Sequence, residues 1–235
     1  MKKIISILAI LISMSSICYS QVLISLVFGD KLNSDKLEFG LDGGLNWSNI
    51  SNLESSDYNR GFNLGFYFDM KMSQKLFLHT GVIVKSTMGS EGLNPYALGN
   101  ENLDTLFTNG NVSRELRYFN VPILLKYKFY DQLYFEVGPQ LGLLSKAYDE
   151  FNVDVYDEDD LMYKNNTKDQ YNKIDAGVTF GLGYRLMGGN GMNIGVRYYY
   201  GMVDIVKNNS GPKQLNSSFY IFAGIPIGAE KPTTN

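Results

Sequence analysis

The chain has 235 residues, 44% apolar and 19% charged, with 24 glycines, a balance that excludes a disordered polymer and a collagen-like repeat. A mean hydropathy of -0.15, with no apolar run near the roughly 20 residues of a spanning helix beyond the first twenty positions, excludes helical transporters and channels. With 21 basic against 24 acidic residues there is no basic field to bind nucleic acid.

Met1, Lys2 and Lys3 form a positive start, Ile4 to Ile12 an apolar stretch of signal-peptide length, and Ser13 to Ser20 a small-residue region. This order predicts a cleaved signal peptide over 1–20, with cleavage after Ser20. Ile17 before Cys18 argues against a lipoprotein signal, which wants a small residue there. Cleavage would remove the only cysteine and take the formal charge from -3 to -5, leaving no thiol or disulfide chemistry. Residues 21–35 follow as a periplasmic N-terminal segment whose apolar part, Val22 to Phe28, suits a short helix.

From Lys36 onward apolar side chains fall on every second position, which means strands. Leu37, Phe39, Leu41, Gly43, Leu45 and Trp47 share one face of the first, and Phe62, Leu64, Phe66, Phe68 and Met70 one face of the second. Six more are expected at about 76–86, 117–129, 133–146, 174–186, 192–203 and 215–228. Tight links near 71–75, 130–132 and 187–191 alternate with long polar ones near 49–60, 87–116, 147–173 and 204–214. Short and long connections in turn, around an even number of strands, predict an all-β fold: an eight-stranded antiparallel up-and-down transmembrane barrel over 36–228, with short periplasmic turns and long extracellular loops. A polar tail, 229–235, follows.

The two strand faces differ in charge. The apolar face carries none, as a bilayer would require; the other carries Glu38, Asp42, Asp69, Glu136 and Asp175 against Lys85, Lys126, Lys128, Lys146, Arg185 and Arg197. The polar face also collects glycines such as Gly40, Gly65, Gly181 and Gly183. Small residues beside Tyr67, Tyr134, Arg185, Arg197 and Tyr199 suit a lumen only wide enough for side chains to fill, so the polar face is the interior. Near-neutral charge in so narrow a space predicts paired networks that plug the barrel. Trp47, Tyr58, Phe68, Phe129, Tyr130, Tyr184 and Tyr200 fall near strand ends, where rings anchor at the headgroup level. Pro122, Pro139 and Pro226 sit inside expected strands, where each removes a ladder bond and marks a bulge or a strand end near the rim.

The stretch Leu116-Arg-Tyr-Phe-Asn-Val-Pro-Ile-Leu-Leu-Lys-Tyr127 resembles the PorT-like family of outer-membrane β-barrel proteins, whose fourth strand reads as an aromatic, a Val/Ile-Pro pair, aliphatics and Lys. Glu136 to Gly142, Asp175 to Tyr184 and Arg197 to Asp204 are similar to the same family, over about residues 37–228 in all. The resemblance implies the barrel and its outer-membrane address, and makes the strand prolines family features. It implies no activity, since most such proteins have none assigned.

No catalytic, cofactor or metal site is expected. His79, the only histidine, lies on the interior face near the periplasmic end, where a structural hydrogen bond is its reading and no triad can assemble around it. The acidic segment 148–171 is oxygen-rich enough to bind Ca²⁺ or Mg²⁺, but its spacing matches no EF-hand and a solvated loop is the preferred reading; the apolar residues of 88–114 read as packing within their own loop. The expected function is a structural or interaction role in the outer membrane with a plugged lumen. Its partners would be outer-membrane lipid and lipopolysaccharide, the barrel-assembly machinery during biogenesis, and an unknown protein or glycan at the extracellular loops. The alternatives are a narrow small-solute channel and a secreted lipocalin-like carrier, whose apolar face would point inward.

Overall fold

The computed structural model describes residues 34–53, 57–156, 159–189 and 191–227. The expected signal peptide, most of the N-terminal segment and the polar tail lie outside the described residues. Among the described residues nine strands form one antiparallel sheet: β1 (Leu37–Ile50), β2 (Asp57–Lys71), β3 (Leu76–Leu93), β4 (Asn111–Lys128), β5 (Leu133–Tyr156), β6 (Asp159–Asn166), β7 (Ile174–Arg185), β8 (Asn193–Gly201) and β9 (Asn216–Pro226). Their order is β4-β3-β2-β1-β9-β8-β7-β5-β6, and a further pairing of β4 with β5 closes the ring. Eight strands therefore make the barrel, and β6 stands outside it, paired only to the upper part of β5.

The alternation expected from the sequence runs through the register. Glu38 pairs across from Asp69, Asp42 from Gly65 and Asp42 again from Gly224, all facing inward. Outward positions such as Leu45, Phe62, Leu125, Phe180 and Ile221 are exposed, as the wall of a barrel that lipid surrounds must be. Turns on the periplasmic side are short; Met187 and Gly188 hold the last one with φ of 53° and 63°, in the left-handed region.

Three strands outrun the expected lengths. A bilayer needs about 9–11 residues per strand; β3 and β4 have 18 each and β5 has 24. The surplus rises on the extracellular side, so the acidic segment expected to be a solvated loop is instead a hairpin of β5 and β6, with Glu150 across from Lys164 and Phe151 across from Tyr163. The 88–114 region is strand only at its two ends, through Leu93 and from Asn111; between them lies a short helix, Glu101–Leu106, that Asn100 caps by accepting from the amide of Asn102. Phe107, after the helix, packs with Leu93, Val112 and Phe151 in a small apolar cluster above the membrane.

Two bulges correct the expected interior. In β3 the ladder slips between Ile83 and Ser86, so Val84 and Lys85 both face outward and Ser86 returns inside. In β5 it slips where Leu144 pairs with Tyr118 but Lys146 with Arg117, so Lys146 is exposed and Ala147 buried. One extra residue reverses the parity of everything beyond it. Pro122 and Pro139 sit in mid-strand rather than at the rim, across from Gln140 and Val178. The hydroxyl of Thr80 donates to the Pro122 carbonyl at 2.9 Å, restoring one contact between β3 and β4.

Candidate functional site

The lumen gathers polar side chains from every barrel strand. Arg197, in β8, is its hub and is 4% exposed. Its Nε donates to Glu136 Oε1, its Nη1 to Asp42 Oδ2 at 2.5 Å, and its Nη2 reaches His79 Nε2 at 3.0 Å. The guanidinium lies 3.8 Å from the centre of the Phe222 ring, and the Tyr220 hydroxyl donates to the second oxygen of Asp42 at 2.7 Å. One planar cation thus ties β1, β3 and β5 to β8, using its fork of fixed donors. Gly181 makes room: a Cβ there would sit 2.7 Å from Glu136 Cγ and 3.1 Å from Arg197 Cγ.

Arginine can only donate, so His79 Nε2 is the acceptor and its proton sits on Nδ1, which lies 2.6 Å from Asp69 Oδ1. Lys126 Nζ holds the other oxygen of Asp69 at 2.7 Å and lies 4.0 Å over the Tyr134 ring, while Tyr67 stacks on His79 with centroids 5.4 Å apart. Nearer the periplasm, Arg185 Nη2 meets Glu38 Oε2 at 2.5 Å, and Tyr67 donates to the other Glu38 oxygen at 3.1 Å.

Of the residues the alternation placed in the lumen, Glu38, Asp42, Asp69, Lys126, Glu136, Arg185 and Arg197 form these contacts. Lys128 is half-buried at the mouth, its Nζ 4.6 Å over the Phe77 ring. Asp175 is buried in the upper lumen without a cation among the described residues, accepting from Asn216 Nδ2 at 2.8 Å. Lys85 and Lys146 face outward, for the reason given by the bulges. His79 is a full member of the network, which its interior parity alone could not reveal, because both its partners come from other strands.

Above the Arg197 layer charges give way to amides and hydroxyls. Asn63, Ser86, Asn120, Gln140, Thr179 and Ser218 surround a cavity of about 20 Å³, room for about one water. Higher still, Ile50, Met88, Leu116, Tyr118, Leu144, Ala147, Tyr171, Tyr199 and Ile205 pack into one apolar cluster across the upper lumen. Tyr171 and Ile205 come from the loops after β6 and β8, joined by a bridge between Tyr171 and Val206 and by Asn172, whose amide donates to Ile205 O at 2.7 Å.

The crown carries its own lock, unforeseen in the sequence. Arg114 grips Asp149 through Nε at 2.9 Å and Nη2 at 2.7 Å, and the Tyr96 hydroxyl donates to Asp149 Oδ2 at 3.0 Å. Partial burial and the adjoining Asp149 carboxylate push the Tyr96 phenol up to about 12. Among the described residues no cluster of three or more His, Cys, Asp or Glu is arranged to hold a metal ion.

No curated protein matches the chain. Among solved structures it is similar to Ail, the attachment invasion locus protein of Yersinia pestis, with a TM-score of 0.44 at 12% identity over 82% of this chain and 99% of that one. Neisserial surface protein A is also similar, with a TM-score of 0.39 at 11% identity over 81% and 97%, as is OprG from Pseudomonas aeruginosa, with 0.35 at 15% over 83% and 97%. Residues 28–207 match the family described as "Outer membrane protein beta-barrel domain". With a charge-bearing lumen inside an apolar wall and this match over most of its length, the chain belongs to the outer membrane protein beta-barrel domain family and resides in the outer membrane.

Proposed function

We propose that the protein acts as a closed outer-membrane barrel, a structural or interaction component whose lumen does not conduct. The observation that carries this reading is the Arg197 hub, where one buried cation joins Asp42, Glu136 and His79 across the full width of the barrel. Opening a path would separate Arg197 from the two carboxylates it holds, at a cost of several kcal/mol. The apolar cluster above it adds a second, dry obstruction. Catalysis has no support in the lumen, since both ring nitrogens of the single histidine are engaged. The stretches around Pro122 and Arg197 support a place among the PorT-like members of the family, and the lipid and lipopolysaccharide around the wall, the assembly machinery and a crown-binding protein or glycan complete the partners of this reading.

Planar-bilayer recording tests it. The folded protein is expected to insert without a steady current, and a reproducible single-channel conductance at neutral pH would favour the narrow channel instead.

A further inference from the structure

The two bulges that remove Lys85 and Lys146 from the lumen place them on the outer wall, where a cation facing lipid needs a reason. We propose that the β2–β5 side of the barrel is a docking surface for a phosphorylated glycolipid of the outer leaflet, whose phosphates meet Arg60, Lys85, Arg117 and Lys146. All four side chains are exposed and all four strands are adjacent. Arg117 pairs directly with Lys146 across β4 and β5, and with Thr87 across β3 and β4. Lys85 sits just below that row, its Nζ 5.7 Å from the Phe62 ring. Arg60 faces Trp47 of β1, a ring expected at the headgroup level.

The opposite half of the wall supplies the contrast. Outward positions of β1, β7, β8 and β9 carry no charge; at the corresponding height they present Trp47, Phe219, Tyr198 and Tyr200. The basic strip is therefore confined to one side and is not a uniform interfacial ring. Two carboxylates lie at the strip: Glu115 pairs with Arg117 at 3.3 Å, with the Tyr148 hydroxyl beside both, and Glu91 accepts from the backbone amide of Arg60 at 3.4 Å. Lys85 and Lys146 have no carboxylate in ion-pair reach among the described residues.

Directly below the strip the wall is apolar and exposed at Leu64, Val84, Phe119 and Leu143. A surface with cations above and aliphatic and aromatic side chains below matches an amphiphile with phosphate at its head and acyl chains beneath. A soluble anion would use only half of it. Outside the membrane midplane such cations are tolerated, and near an anionic leaflet each contributes to retention. The inference adds a site to the outer-membrane assignment and is independent of whether the lumen conducts.

The test uses the full chain in phosphatidylcholine nanodiscs containing a small fraction of either bisphosphorylated lipid A or the same glycolipid stripped of its phosphates, with native mass spectrometry counting what stays bound. The phosphorylated form should be retained and the stripped form lost. K85Q/K146Q, two exposed changes checked for folding by heat-modifiable electrophoretic mobility, should weaken retention on the order of 20-fold, while K71Q/K75Q at the other rim should leave it unchanged. Equal retention of both glycolipids, an unaffected K85Q/K146Q, or displacement of the glycolipid by millimolar inorganic phosphate would overturn the proposal.

Discussion

Within the bilayer and above it, the same strands organise their interiors in opposite ways. Between Glu38 and Arg197 the inside is ionic and the outside apolar; around Leu116, Tyr171 and Ile205 the inside is mainly apolar, with Asp175 and the Arg114–Asp149 pair set into it, and the outside above the basic strip carries Tyr148, Glu150 and Lys164. The difference follows from the solvent on the outer face. Lipid gives an apolar wall nothing to escape from, so in the membrane the interior is held by ion pairs and hydrogen bonds. Once the strands of β3, β4 and β5 leave the bilayer, water surrounds them and hydrophobic burial again drives packing inward. The barrel thus changes its cohesive force along its own axis.

Arg197 offers the sharpest way to break that contrast. Replacing it with Met strands Asp42 and Glu136 in a closed space, and the expected loss is about 3–5 kcal/mol, read by urea unfolding in detergent through the fluorescence of Trp47, the single tryptophan. Adding Asp42→Asn and Glu136→Gln should recover most of it, because the cost lies in the uncompensated charges. If R197M unfolds at the wild-type urea concentration, the hub is not what holds the lower lumen.

In the crown the matching experiment removes apolar volume. Leu116 is fully buried within the upper cluster, so Leu116→Ala should cost about 2–4 kcal/mol through lost burial and a residual cavity. Unlike R197M, this loss should not be recoverable by changing any charged neighbour. A loss below about 0.5 kcal/mol would mean that the upper cluster is loosely packed and the contrast between the two interiors weaker than drawn.

How far the sequence carries this picture depends on where each residue lies. Period-two alternation located every barrel strand and put Glu38, Asp42, Asp69, Lys126, Glu136, Arg185 and Arg197 inside, because the bilayer keeps one face free of charge. It failed at Lys85 and Lys146, where a single extra residue, marked by neither glycine nor proline, flips the faces. The extension of β5 to Tyr156 was invisible for a different reason: beyond the bilayer the outer face is wet, so Tyr148, Glu150 and Lys164 replace the apolar stripe and the segment reads as a loop. Pairing was out of reach altogether, since Arg197 meets Asp42 only after the chain has gone around the ring.

The smallest expected effect is local and concerns how the loop that roofs the barrel is tied down. Asp204 accepts from the amides of Val206 at 3.1 Å and Gln214 at 3.2 Å and from Asn209 Nδ2 at 2.9 Å. Burial works weakly in the other direction, but these donors, with Lys213 nearby, hold its carboxyl below the ordinary 3.8. A depressed folded-state value means the unfolded chain takes up the proton first as pH drops, so the stabilisation is present above 3.8 and lost as pH falls through the folded value. Hydrogen exchange at the Val206 and Gln214 amides, compared at each pH with Asp204→Asn, should therefore be slower in the wild type at pH 5 and converge with the variant well below pH 3.8, while the barrel wall, reported by Trp47, stays folded. Convergence already at pH 5 would show that the carboxylate does not hold the loop, and simultaneous loss of the Trp47 signal would show that roof and barrel open as one unit.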